Sequence, residues 1–270
     1  MIIQVPMQVD DTATFYTRVE AYLKSVDSDF NVSSDADALK LELKRLPLIL
    51  GDPAGRSVLD LTCGDGTQAL ALASLGWKVT GLDLTHTFLN ITQARAAQQG
   101  LSLRLKHHDA RTPLPADLVD QFDVSISCMA LDNIIEEDGF SQALTNLYCA
   151  LKPGGLCYIR LRHMDFVLDD PSRYDFSWER QLTNGRLIRL EDWLPLDDGT
   201  LVNSYLFVLE DHTRDYPYET TVFSYRRRAL RKAELLARLE QTGFGEVTLL
   251  PLEAPWFPYE VTARRKANQK

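Results

Sequence analysis

Between residues 57 and 161, short apolar runs alternate with segments of helical periodicity, and few folds accept that rhythm. Ser57–Leu61, Lys78–Leu82, Ser102–Lys106, Asp123–Cys128 and Leu156–Leu161 have the length and apolar character of strands buried in a sheet interior. Between them, Gln68–Leu75, Thr87–Gln98 and Ser141–Leu151 repeat apolar residues at helical spacing. Strand, helix, strand in this order predicts a doubly wound α/β fold, a parallel sheet with helices on both faces. Glu246–Leu250 and Tyr259–Ala263 add two final strands after a helix over Arg228–Gln241 that ends at Gly243. The sheet is therefore expected to have seven strands. Lys152-Pro153-Gly154-Gly155 reads as the turn from a helix into the next strand, because proline cannot continue a helix.

The rhythm breaks in two places. Residues 1–50 carry two helical segments, near Ala13–Val26 and Asp37–Leu50, the second opened by a cap-like Ser33-Ser34-Asp35. After Arg162, the runs Arg186–Trp193, Leu201–Leu209 and Thr220–Arg226 read as strands with no helix between them. Asp197-Asp198-Gly199 is the hairpin turn in that antiparallel insertion.

Charge limits the partners. Lysine and arginine number 29 against 38 aspartates and glutamates, a net charge of −9. Nucleic acid and anionic membrane both call for a cationic face, so neither is an expected partner. Arg226-Arg227-Arg228 with Arg231-Lys232 is the feature that dissents, and it reads as a solvated strand-to-helix junction. No apolar run is long enough to span a bilayer, and Asp10 and Asp11 interrupt the N-terminus before a signal sequence can form. Cys63, Cys128, Cys149 and Cys157 lack metal-ligand spacing, so reduced thiols, a cytoplasmic location and no bound metal are expected.

The chemistry concentrates at Val58-Leu59-Asp60-Leu61-Thr62-Cys63-Gly64-Asp65-Gly66-Thr67, an apolar strand ending in a carboxylate and a glycine turn before a helix. Ligands of open α/β sheets bind beyond such strand ends. Gly64 to Ala69 fits the dinucleotide pattern G-x-G-x-x-A, with Asp83 following at the spacing of a ribose-binding acid. A pyrophosphate, however, would meet Asp60 and Asp65 beside it. S-adenosylmethionine (SAM) carries a sulfonium, an ammonium and no phosphate. Charge decides for SAM.

VLDLTCGDGT, VTGLDLT, HHDAR, FDVSISC and LKPGG, in this order, resemble the motif set of class I SAM-dependent methyltransferases over about Arg56–Arg162. The resemblance implies a Rossmann-like, single-domain enzyme. Residues 1–50 would be a helical lid, 51–162 the SAM-binding core, 163–227 a substrate-side insertion and 228–270 the closing helix and strands. It also implies a cofactor site of Asp60, Cys63, Gly64, Asp65, Gly66 and Gln68 at the methionine end. Asp83 and Leu84 would meet the ribose and adenine, Asp109 and Ala110 the adenine edge, and Cys128 with Met129 the floor. Tyr16, with Tyr22, would close over the cofactor as a lid, although helical spacing suits both to core packing equally. An ionised carboxylate such as Asp83 accepts from both hydroxyls of a vicinal diol.

Ile159–Leu168, followed by the insertion, resembles glycine and sarcosine N-methyltransferases. That resemblance implies that Arg162 holds a substrate carboxylate, which a guanidinium fork suits; pairing with Asp165 or Asp169 is the structural alternative. The family's asparagine after the fourth strand falls at Ala130, and its histidine at Ile134. The expected function is methylation of a small soluble amine or amino acid, leaving S-adenosylhomocysteine as product. O-methylation of a carboxylic or phenolic metabolite, and a SAM-binding module without catalysis, are the alternatives. No residue identifies itself as a general base, and a homo-oligomer stays open. Aromatic residues including Tyr174, Trp193, Tyr205 and Tyr225 would wall the pocket from the insertion.

Overall fold

The computed structural model describes residues 8–27, 36–169, 176–251 and 258–267, and side chains throughout them except at 36–37 and 176–178. The cap at Ser33–Asp35 and Tyr174 lie outside the described residues. The chain opens with β1 (Val9–Asp10), α1 (Thr12–Val26) and α2 (Ala36–Leu50). The alternating stretch follows as β2 (Ser57–Asp60), α3 (Thr67–Ser74), β3 (Lys78–Asp83), α4 (His86–Gln98), β4 (Arg104–His107), β5 (Phe122–Cys128), α5 (Glu137–Ala150) and β6 (Leu151–Leu161). Then come α6 (Met164–Asp169), β7 (Phe176–Leu182), β8 (Gly185–Pro195), β9 (Thr200–Asp211) and β10 (Tyr218–Arg228). The chain closes with α7 (Lys232–Thr242), β11 (Phe244–Leu249) and β12 (Tyr259–Arg265). These elements fall into two compact units, one of residues 1–31 with 164–229 and one of residues 32–163 with 230–270.

In the larger unit, seven strands lie in the order β11-β12-β6-β5-β2-β3-β4. The five from β6 to β4 are parallel, and β12 runs antiparallel to both β6 and β11. Successive residues of β2 enter opposite cores. Val58 joins Leu46, Leu50, Leu72 and Ile126 under α2 and α3, whereas Leu59 joins Phe140, Leu147, Leu235 and Leu239 under α5 and α7. That is why the strand reads as apolar without alternation. From β2 the chain winds outward to β3 and β4, then returns to β5 on the other side. The crevice at the ends of β2 and β5 is thus the switch point where such sheets bind ligands.

Two boundaries differ from the sequence reading. α5 begins at Glu137 rather than Ser141, with Glu137 and Asp138 in its first turn, where carboxylates favour the helix dipole. Lys152–Gly155 is not a turn outside the strand, because β6 starts at Leu151, directly after α5, and Gly154 bends it at φ +82°.

The smaller unit is a five-stranded sheet, β1-β10-β9-β8-β7, antiparallel except for the β1–β10 pair. Phe15, Val19 and Leu23 of α1, four residues apart, pack on Leu187, Tyr205, Phe207, Phe223 and Tyr225. Phe15 stacks on Tyr225 with ring centroids 3.9 Å apart. Asp11 caps α1 by accepting from the Thr14 amide at 2.9 Å. The sequence reading missed β1, β7 and α6, each short or weakly periodic. It also placed the basic cluster in solvent. Arg227 instead lies fully buried in β10, its guanidinium 4.9 Å from the Tyr225 ring centroid and 5.6 Å from that of Trp193, while Arg226 pairs with Asp198. A run of charge at a strand end cannot show that alternate members face a core.

Candidate functional site

The β2–α3 loop is held from two sides. From β3, the Leu82 carbonyl accepts from the Cys63 amide at 2.8 Å, and Asp83 Oδ2 accepts from the Gly64 amide at 2.8 Å. From α4, the Thr92 hydroxyl donates to the Gly64 carbonyl at 2.9 Å and Arg95 Nη1 to the Asp65 carbonyl at 2.7 Å. Asp65 in turn accepts from the Thr67 amide and hydroxyl, so it secures the entry to α3. Thr92 and Arg95, one helical turn apart, are supports that the motif reading missed; their spacing in the Thr87–Gln98 helix is the signal that was there.

The two glycines do different work. Gly64 sits at φ +52°, and a Cβ there would enter open space; Gly66 sits at φ +86°, and a Cβ there would come within 2.6 Å of Thr92 Cγ2. Gly66→Ala is therefore expected to cost about 2–3 kcal/mol through left-handed strain and overpacking. Gly64→Ala should cost only about 1 kcal/mol from backbone strain. Urea denaturation of the two variants checks the order, and a Gly64→Ala loss equal to that of Gly66→Ala would contradict it.

Asp60 ends β2 fully buried, and its Oδ2 has no hydrogen-bond partner among the described residues. An orphaned buried acceptor costs about 1–3 kcal/mol. Burial raises its pKa to about 8, and Asp83, Asp65 and Glu42 add like charge against only the Thr62 amide bond. A cationic ligand beside the Gly64 turn would complete this carboxylate, and the open space over Gly64 leaves it room. The residues present fit a cationic, phosphate-free ligand.

Asp83 Oδ1 accepts from the Thr85 amide and hydroxyl, both at 2.8 Å, at the start of α4. It is thus loop anchor and the acceptor of an Asx-type turn just before α4, with one lone-pair site of about four left over. Leu84 offers its carbonyl to His107 Nε2 at 2.7 Å, and His107 stacks on His86. Asp109 receives the Arg111 fork on both oxygens, at 2.8–3.1 Å; against the upward push of partial burial, these bonds hold its carboxyl below the ordinary range. Ala110 is buried and its carbonyl accepts from Asn146. Cys63 and Cys128 are buried, and burial drives both thiols upward, so neither is a nucleophile at neutral pH.

After β5, Met129 takes φ +60°, its amide bound to the Arg160 carbonyl at 2.7 Å. Arg162 Nη1 donates to the Met129 carbonyl at 3.2 Å and lies 3.6 Å from Asp132 Oδ2. Asp132 is a carboxylate neighbour that the sequence reading did not single out. Tyr16 belongs to the smaller unit, where its hydroxyl lies 3.3 Å from that of Tyr225; the Tyr22 ring packs on Phe207 and Phe223. Gln68 donates to Glu42 at 3.1 Å, and Glu42 pairs with Arg160 at 2.5 Å. Glu42 was legible only as a charge in the buried stripe it shares with Leu46 and Leu50 of α2. No helix among the described residues is long and apolar enough to cross a membrane.

Residues 58–155 match the methyltransferase domain family. A putative methyltransferase from Geobacillus sp. (strain WCH70) is 32% identical over 124 residues, which cover 44% of this chain and 49% of that protein. A ubiquinone biosynthesis O-methyltransferase from Methylobacterium nodulans is 27% identical over 143 residues, 48% of this chain and 55% of that one. The chain thus spans about half the length of these curated relatives. An amino pentose methyltransferase from Micromonospora echinaspora, solved with SAM bound, shares the fold at a TM-score of 0.69 and 16% identity, over 93% of this chain and 97% of that one. With its glycine turn at the switch point and acidic residues ending β2 and β3, the stretch from residue 58 to residue 155 is similar to the methyltransferase domain family and lies on a Rossmann-like sheet.

Proposed function

We propose that the chain binds SAM at the β2–α3 loop and methylates a small, soluble amine that carries a carboxylate. The unsatisfied buried carboxylate of Asp60 beside the open turn at Gly64 carries this reading, because it asks for a cation and offers nothing to a pyrophosphate. SAM, when bound, supplies a methyl group on a sulfonium, a carbon already activated toward displacement. The protein's task is then to align the acceptor and keep water out. Asp83 accepts from one ribose hydroxyl with the lone-pair site that Gly64 and Thr85 leave over. Leu84, Asp109 and Ala110 border the adenine. Cys63, Asp65, Gly66, Gln68 and Cys128 shape the methionine end. Arg162 orients the acceptor's carboxylate, and a neutral amine needs no strong base.

A second reading, O-methylation, is favoured by the name of the Methylobacterium relative. Calorimetry and a transfer assay separate the possibilities. Wild type is expected to bind SAM and S-adenosylhomocysteine but not NAD, and to pass a labelled methyl group to amino acids and not to phenols. Arg162→Ala should lose transfer to carboxylate-bearing amines by about 10- to 100-fold, with SAM affinity kept. NAD binding without SAM binding would end the reading. Equal transfer by both proteins would make Arg162 a structural partner of Asp132, and labelled phenols alone would establish the second reading.

A further inference from the structure

Two arginines and two glutamates meet beneath α2, and they are not equally satisfied. Glu260 of β12 is used in full. Arg45 Nε and Nη2 grip its two oxygens at 2.8 and 2.7 Å, and the Tyr158 hydroxyl donates to Oε1 at 2.5 Å. Arg160, its cross-strand neighbour on β6, is thereby left to Glu42 alone. That second pair is half used. Glu42 Oε1 takes both Arg160 Nη1 and Gln68 Nε2, while Glu42 Oε2 and Arg160 Nε are buried with no hydrogen-bond partner among the described residues. The Glu42 side chain is only 2% exposed.

Their place in the fold says what would complete them. Arg160 lies in register with Cys128 at the end of β5, and Gln68 is in the first turn of α3, directly after the glycine loop. Glu42 is near enough to Asp60 to add to the charge acting on it. An unsatisfied anion, an unsatisfied cation and the orphaned Asp60 Oδ2 therefore gather at one end of the loop. A buried ion pair kept half satisfied is costly unless a partner arrives. A zwitterion, with an ammonium and a carboxylate on one carbon, brings one group of each sign.

We propose that Glu42 and Arg160 form the recognition site for the amino-acid end of the cofactor, Glu42 Oε2 being the acceptor for its ammonium and Arg160 Nε a donor for its carboxylate. The inference rests on the reading that the loop binds SAM. It makes α2 the element that distinguishes SAM and S-adenosylhomocysteine from nucleosides lacking that end, and makes Gln68 the residue that keeps Glu42 turned toward α3.

The test is calorimetric titration of wild type, Glu42→Gln and Arg160→Lys with S-adenosylhomocysteine and with 5′-methylthioadenosine, which has the same nucleoside and no amino-acid end. Both variants are expected to lose affinity for S-adenosylhomocysteine by about 10- to 100-fold. Methylthioadenosine should bind all three proteins within about twofold, within the scatter of a near-neutral change, which also reports a folded nucleoside site in the same sample. Unchanged affinity for S-adenosylhomocysteine, or an equal loss for both ligands, overturns the inference and leaves the cofactor reading standing. A wild type that binds neither ligand overturns the cofactor reading itself. If one variant does not fold, the other carries the comparison.

Discussion

Asp60→Asn is expected to make the protein more stable and to weaken its hold on SAM by about 10- to 100-fold, as loss of a charged hydrogen-bonding partner does. The stability gain follows from burial. Folding takes the Asp60 carboxyl from its ordinary pKa of 3.8 to about 8, so the folded chain retains a proton that the unfolded chain has released. Where the native state binds more protons, stability falls as pH rises. The penalty is absent below about 3.8, grows through neutral pH, and is complete near 8. Asparagine keeps the shape and the Thr62 contact without that proton debt. The variant should therefore match wild type near pH 4 and exceed it by a few kcal/mol at pH 7, since wild type loses about 1.4 kcal/mol for each pH unit above 3.8 at which only the unfolded chain is ionised. Chemical denaturation at the two pH values measures this. Binding of a cation would ionise Asp60, so wild type should release a proton on binding SAM at pH 7, seen as a buffer-dependent binding enthalpy. The asparagine variant should not. A variant that is less stable at pH 7 and binds SAM normally would show that Asp60 is purely structural.

Glu260→Ala is expected to be among the most damaging substitutions in the larger unit, at about 3–5 kcal/mol. It would leave the Arg45 guanidinium, held under α2 with 16% of its side chain exposed, without its fork partner and would strip the Tyr158 hydroxyl of its acceptor. At a urea dependence of about 2–3 kcal/mol per molar, the midpoint should fall by about 1–2 M. Arg104→Ala is the control. Arg104 pairs with Asp117 at 2.7 Å with both side chains more than half exposed, so its loss should leave the midpoint nearly unmoved. Equal shifts in the two variants would mean that the network under α2 is not a fastening point of the fold.

The order of elements from β2 to β6 was legible in the chain because a strand buried on both faces leaves a contiguous apolar trace that survives without knowledge of its partners. The glycine turn was legible for a similar reason: Gly64 and Gly66 adopt backbone angles that few other residues accept, so conformation is written into residue type. Asp60, Asp83 and Asp109 stood out as carboxylates at strand ends, positions set by local order alone. Everything that depends on which strand lies beside which was closed to such reading. That Arg162 has Asp132 for a neighbour follows from β5 and β6 being adjacent. That Glu42 meets Arg160, 118 positions away, follows from α2 lying over the same sheet face. Arg227 looked like surface and is core, since its company on β10 is chosen by strand pairing. The chain determined the periodicities, the turns and the residue types at strand ends, because those are local. The tertiary structure alone decided which charges face each other, because an ion pair depends on distance in space and carries no signature in sequence separation.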